Sequence, residues 1–66
     1  MELYIGARVK YIHDEDGLFG TVISFDPKIL NGNVNSWVHI HFDRENNEGK
    51  IFDDEYSCNL ELLQSK

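Results

Sequence analysis

Trp37-Val38-His39-Ile40-His41-Phe42 decides how the rest of the chain is read. Val38, Ile40 and Phe42 alternate with Trp37, His39 and His41. An extended backbone puts the first set on one face and the ring-bearing second set on the other. A helix would scatter the same residues around its circumference. The stretch is therefore predicted to be a strand with one buried face.

Reading outward toward the N-terminus, Asn31-Gly32 lies between Ile29-Leu30 and Asn33-Val34 and is the strongest tight-hairpin signal in the chain. Asp26-Pro27 is expected to break the ladder, because proline has no N–H to donate. Residues 27 to 36 are accordingly read as an elongated hairpin tip. Gly20 to Asp26 is rich in Thr, Val, Ile and Phe and reads as the preceding strand. Thr21, Ile23 and Phe25 are assigned to one face and Val22 and Ser24 to the other. Ala7 to His13 alternates in the same way, with Ala7, Val9, Tyr11 and His13 sharing a face. Asp14-Glu15-Asp16-Gly17 is a polar turn whose glycine can adopt positive φ.

Toward the C-terminus, Asp43 to Gly49 reads as a polar connection and Lys50 to Asp53 as a short fourth strand. Asp54 to Asn59 is expected to form a tight turn or a single 3₁₀ turn, and Leu60 to Leu63 a fifth strand. Glu55 to Leu63 could manage two helical turns at most. The expected core is Val9, Val22, Ile23, Val38, Ile40, Phe42, Ile51, Leu60 and Leu62. Five short antiparallel strands have few stable arrangements. A flat sheet would leave one face wet and two edges bare, whereas strong twist curls it into a small barrel. The expected fold is all-β, a five-stranded antiparallel SH3-like barrel spanning residues 1–66 as one domain.

Composition bounds the function. Sixty-six residues carry 12 Asp and Glu against 6 Lys and Arg, a formal charge of −6. That balance opposes a basic nucleic-acid-binding surface. The one cysteine, Cys58, cannot close an internal disulfide, which points to a reducing, cytoplasmic setting. No apolar run approaches the ~18 residues of a membrane span, and the N-terminus lacks the layout of a signal peptide.

Four motifs, Gly6-x-x-Val9, Leu18-Phe19-Gly20-Thr21-Val22, Val38-x-Ile40-x-Phe42-Asp43 and Leu60-Glu61-Leu62-Leu63, stand in that order along the chain. Together they resemble the SH3-like barrels of the Tudor and KOW type. They look most like the small Tudor-like domains of bacterial repair helicases and transcription-repair coupling factors. The likeness runs from about Gly6 to Leu63. It implies the barrel fold and a tendency to bind proteins, often RNA polymerase, with nucleic-acid binding in some KOW relatives. This chain is more acidic than the nucleic-acid-binding members and is read as free-standing instead of fused to an enzyme, so it is expected to depart from them where nucleic-acid contacts would be carried over.

Candidate sites follow from charge and aromatic content. Asp14, Glu15 and Asp16 sit in the first connection, and Asp43, Glu45 and Glu48 in the third. Alternate connections of a meander fall at one end of the sheet, so these carboxylates would rim that end, relieved by Arg44. Asp53, Asp54 and Glu55 are expected at the opposite end with Asp26. Such a rim either keeps a small barrel soluble or steers it toward a basic partner, in the sharpest version as a nucleic-acid mimic. Trp37, His39, His41 and Tyr11 are the expected packing anchors of a partner surface.

Other chemistries are poorly served. His39-x-His41 has one feature of a zinc site, but only His13 and Cys58 could complete it. The eight aromatics could form a cage for methylated lysine, yet no spacing singles one out. Asp14-x-Asp16-Gly17 starts like a calcium loop, but Phe25 stands where its closing glutamate belongs. No phosphate loop, nucleophile elbow or activated cysteine is present, so no catalytic residue, metal or cofactor is expected.

The expected function is a small adaptor or inhibitor that docks on a larger basic protein surface, with RNA polymerase or a nucleic-acid-processing enzyme as candidate. Its size and charge suit a phage or mobile element acting on host transcription, repair or defence machinery. Two alternatives remain: a KOW-like nucleic-acid binder using Arg8, Lys10, Arg44 and Lys50, and a homo-oligomer paired through sheet edges.

Overall fold

The computed structural model describes residues 3–30 and 32–63. It is all-β: β1 (Arg8–Tyr11), β2 (Leu18–Leu30), β3 (Asn33–Phe42), β4 (Phe52–Tyr56), a 3₁₀ turn (Ser57–Asn59) and β5 (Leu60–Leu62). The strands form one antiparallel sheet in the order β4-β3-β2-β1-β5. Among the described residues no helix is long and apolar enough to cross a membrane.

The alternation around Trp37 sets the two faces. Gly20↔Phe42, Val22↔Ile40 and Phe25↔Val38 are the inward pairs, and Thr21↔His41, Ser24↔His39 and Asp26↔Trp37 the outward ones. The register shifts between Val22 and Ser24, so Ile23 is a bulged extra residue, 37% exposed. A bulge reverses the phase of the strand beyond it. This corrects the facial assignment read from strict alternation: Phe25 packs on the core with Val22, whereas Ile23 does not.

Ala7, Val9, Leu18, Val22, Val38, Ile40, Phe42 and Leu60 make one buried cluster, with Leu3, Tyr11, Phe25 and Leu62 packed against it. Val9, Val38 and Ile40 are wholly inaccessible to solvent. No second layer lies over this sheet among the described residues, so such burial requires the sheet to curl over its own inner face. The sheet is compatible with a small barrel-like fold. Its hydrogen-bonded ladder stays open, because β4 and β5 are the two edges and do not pair with each other. Ile51, expected in the core, is 41% exposed because β4 begins only after it. Ala7 and Leu18 take core places that their positions at strand ends had hidden.

Pro27 does not end β2. It pairs with Ser36, and the ladder continues to Leu30↔Asn33. The Ser36 N–H points away from β2, donating to Ser57 Oγ at 3.0 Å and to Asn35 Oδ1 at 2.9 Å, so Pro27 and Ser36 form a non-hydrogen-bonded pair and the ladder to β3 needs no donor from Pro27. This stretch of β2 has also passed the end of β1, whose pairing begins at Arg8↔Thr21. A residue with no N–H is tolerated on such an edge. The expected hairpin tip is thus a ribbon paired as far as Leu30↔Asn33, with Gly32 at φ +82°; Asn31, the other half of the predicted turn, lies outside the described residues.

Candidate binding surfaces

The outward face of β3 and β4 carries three cross-strand pairs in succession: Trp37↔Tyr56, His39↔Asp54 and His41↔Phe52. The Trp37 and Tyr56 rings lie 4.6 Å apart and tilted at 59°, and His41 stacks on Phe52 at 4.5 Å. Between them His39 Nδ1 is 2.6 Å from Asp54 Oδ1. Such pairs are the unit of sheet stabilisation, here turned toward solvent. Trp37, Tyr56 and Phe52 remain 37%, 38% and 50% exposed. On the β2 side, Asp26, Ser24 and Thr21 complete the three rows. Arg8 closes the last, donating to Thr21 Oγ1 at 2.8 Å and forking onto both Asp43 oxygens at 2.5 and 3.0 Å. Arg8 hydrogen bonding holds the Asp43 carboxyl below its ordinary pKa, and Asp43 raises that of Arg8.

The structure thus brings Trp37, His39 and His41 together and adds Phe52, Asp54 and Tyr56, which sequence reasoning missed. The fourth strand was expected at Lys50–Asp53 and a turn at Asp54–Asn59, since Asp and Glu are depleted in strands, whereas β4 runs Phe52–Tyr56 and the 3₁₀ turn follows it at Ser57–Asn59. The alternation of Phe52 and Tyr56 about Asp54 was the available signal.

Tyr11 is not on this face. It ends β1 and lines a cleft of about 130 Å³ with Leu18, Phe42, Asp14, Glu48, Asp53 and Glu55. Burial, then the charges of Glu55, Asp14 and Glu48, push the Tyr11 hydroxyl pKa up. Burial likewise raises the Glu55 carboxyl pKa, partly offset by the hydrogen bond that Asn59 Nδ2 donates to it at 3.3 Å. Asp53 and Glu55 therefore share the end occupied by the first and third connections, and Asp54 is on the outer face. This corrects the placement of all three at the opposite end.

The two connections meet as expected, because Arg44 Nη2 reaches Asp14 Oδ1 at 3.1 Å and the Gly17 carbonyl at 3.3 Å. Asp14 is a scaffold residue more than a free charge. Its side chain is 9% exposed, and its Oδ1 also accepts the Asp16 N–H at 2.9 Å. Asp43 is committed to Arg8. Glu15, Asp16 and Glu45 are exposed, as is Glu48, which lies 3.7 Å from Lys50 Nζ.

The chain matches no family model, no curated protein and no solved structure.

Proposed function

We propose that this chain is a small acidic protein-binding module, an adaptor or inhibitor that docks on a larger basic protein surface in the cytoplasm. The SH3-like barrel of the Tudor or KOW type is the fold assignment that goes with it. The observation that carries the reading is the asymmetry of charge. Carboxylates from the first connection, the third connection and the inner side of β4 converge on one cleft. Meanwhile Arg8, Arg44 and Lys50 are each held by a carboxylate, Asp43, Asp14 and Glu48. A field of that sign accelerates encounter with a cationic surface and repels polyanions.

The same ion pairs weigh against the KOW-like nucleic-acid reading, since three of the four residues of its basic patch already face a carboxylate. The β4 edge weighs against pairing between copies. The Phe42 N–H bonds to the Ile51 carbonyl, so by alternation the N–H groups of Phe52, Asp54 and Tyr56 point away from β3. The Asp54 N–H is taken by Asp53 Oδ1 at 2.8 Å, and three successive carboxylates flank it, as on edges guarded against a second strand.

Affinity capture from a cell extract tests the reading, using wild type, Trp37→Ala and a variant with Glu15, Asp16 and Glu45 changed to Lys. A partner rich in Lys and Arg, lost with the charge-reversed variant and weakened by added salt, is expected. A captured partner indifferent to both changes, or recovery of nucleic acid instead, would refute it.

A further inference from the structure

We infer that the row Tyr56–Trp37–Asp26, with Asp54 beside it, receives an arginine side chain of the partner. The inference deepens the reading above, because it names the group that a cationic partner would present to the outer face. Three observations carry it. The Trp37 and Tyr56 rings are exposed together on a face that no other part of the chain covers among the described residues. Asp26 is exposed and directly opposite Trp37, a register that sets Cβ atoms about 5 Å apart. Asp54 stands diagonally across, and only its Oδ1 is used by His39, which leaves Oδ2 without a hydrogen-bond donor among the described residues.

An aromatic surface with carboxylates on two sides suits a guanidinium better than its competitors. The planar cation stacks on the indole while its N–H groups reach the carboxylates beside it. A lysine ammonium is a compact, strongly hydrated point charge and gains less from the ring. A nucleotide base could stack there too, but its phosphates would meet Asp26 and Asp54. A second copy would bring the same two carboxylates against their own duplicates.

Trp37 is the chain's one tryptophan, so its fluorescence reports on this site alone. The intact protein is titrated with hexa-arginine, hexa-lysine and a short oligothymidylate, and the titrations are repeated with Asp26→Asn and Asp54→Asn. Hexa-arginine is expected to shift the emission and to bind about tenfold more tightly than hexa-lysine. Each amide variant should weaken hexa-arginine about fivefold, with circular dichroism unchanged. If both peptides bind equally and the Trp37 emission does not move, the arginine site is refuted while the cationic-partner reading stands. If neither peptide binds at low ionic strength, both fall. Emission changes driven by oligothymidylate, or by protein concentration alone, would also overturn the assignment.

Discussion

Replacing Gly20 with alanine tests the packing that gives the outer face its rigidity. Gly20 sits between Val9 on β1 and Phe42 on β3 and is buried. A Cβ there would lie 2.5 Å from Ile40 Cγ2, 2.9 Å from the His41 carbonyl oxygen and 3.2 Å from Phe42 Cα. Ile40 is itself fully buried, and the other two contacts are backbone, so β2 and β3 must part. Overpacking of that kind costs about 1–3 kcal/mol, and two of the three contacts are with backbone, which no rotamer change relieves. A chain of this size has a total stability of about 3–10 kcal/mol. At about 2.1 cal/mol/K of unfolding entropy per residue, a loss of about 2 kcal/mol lowers Tm by about 14 °C. Urea unfolding followed by Trp37 fluorescence should show the midpoint falling by about 2 M, given a slope near 1 kcal/mol/M. Ser24→Ala, on the exposed side of the same strand, should stay within about 0.5 kcal/mol of wild type. A Gly20→Ala midpoint within about 0.5 M of wild type would show that the strands do not approach as described.

Other outcomes follow from the same contacts. Ile40→Ala should cost about 2–5 kcal/mol, whereas Trp37→Ala, which loses mainly its pairing with Tyr56, should cost about 1 kcal/mol; chemical denaturation compares the two. Asp43→Asn breaks an exposed bidentate pair and should cost at most about 1 kcal/mol, shrinking as salt is raised. Because the folded-state pKa of Asp43 is depressed, its contribution is present above the ordinary Asp range and lost as pH falls through the folded value. The Asn variant and wild type should therefore converge in acid. Glu55 has the opposite sign: its folded pKa is raised, so ionisation weakens the fold as pH rises through that value. Glu55→Gln should be more stable than wild type at neutral pH, and the gain should vanish in acid, as measured by Tm against pH.

Much of the fold could be read from the sequence because its signals were local. The alternation of Val38, Ile40 and Phe42, the positive φ of Gly32 and the Asp14–Gly17 turn each depend on a few neighbouring residues. The Gly17 N–H does bond to the Asp14 carbonyl at 3.1 Å, with Gly17 at φ +79°. What failed depended on distant partners. Whether Pro27 could stay in a strand turned on its facing Ser36 in a non-hydrogen-bonded pair and on β1 having already ended. Whether Ile23 faced inward turned on a bulge that has no residue signature of its own. The need for glycine at position 20 is likewise distant: it lies in the approach of Ile40 and His41 from the next strand. Of the candidate site, Trp37, His39 and His41 were legible from period-two spacing. Their partners on β4 were masked by an acidic run, and Tyr11 fell on the cleft because β1 turns its odd-numbered residues inward.

The most direct test of the central claim is a residue-resolved amide chemical-shift titration at low ionic strength. One arm adds an unstructured Arg/Lys peptide and the other a short DNA duplex. The peptide should move signals of Trp37, Asp54 and Tyr56 and of the cleft residues Glu48, Asp53 and Glu55, and the duplex none. Shifts produced by the duplex and not by the peptide would contradict it.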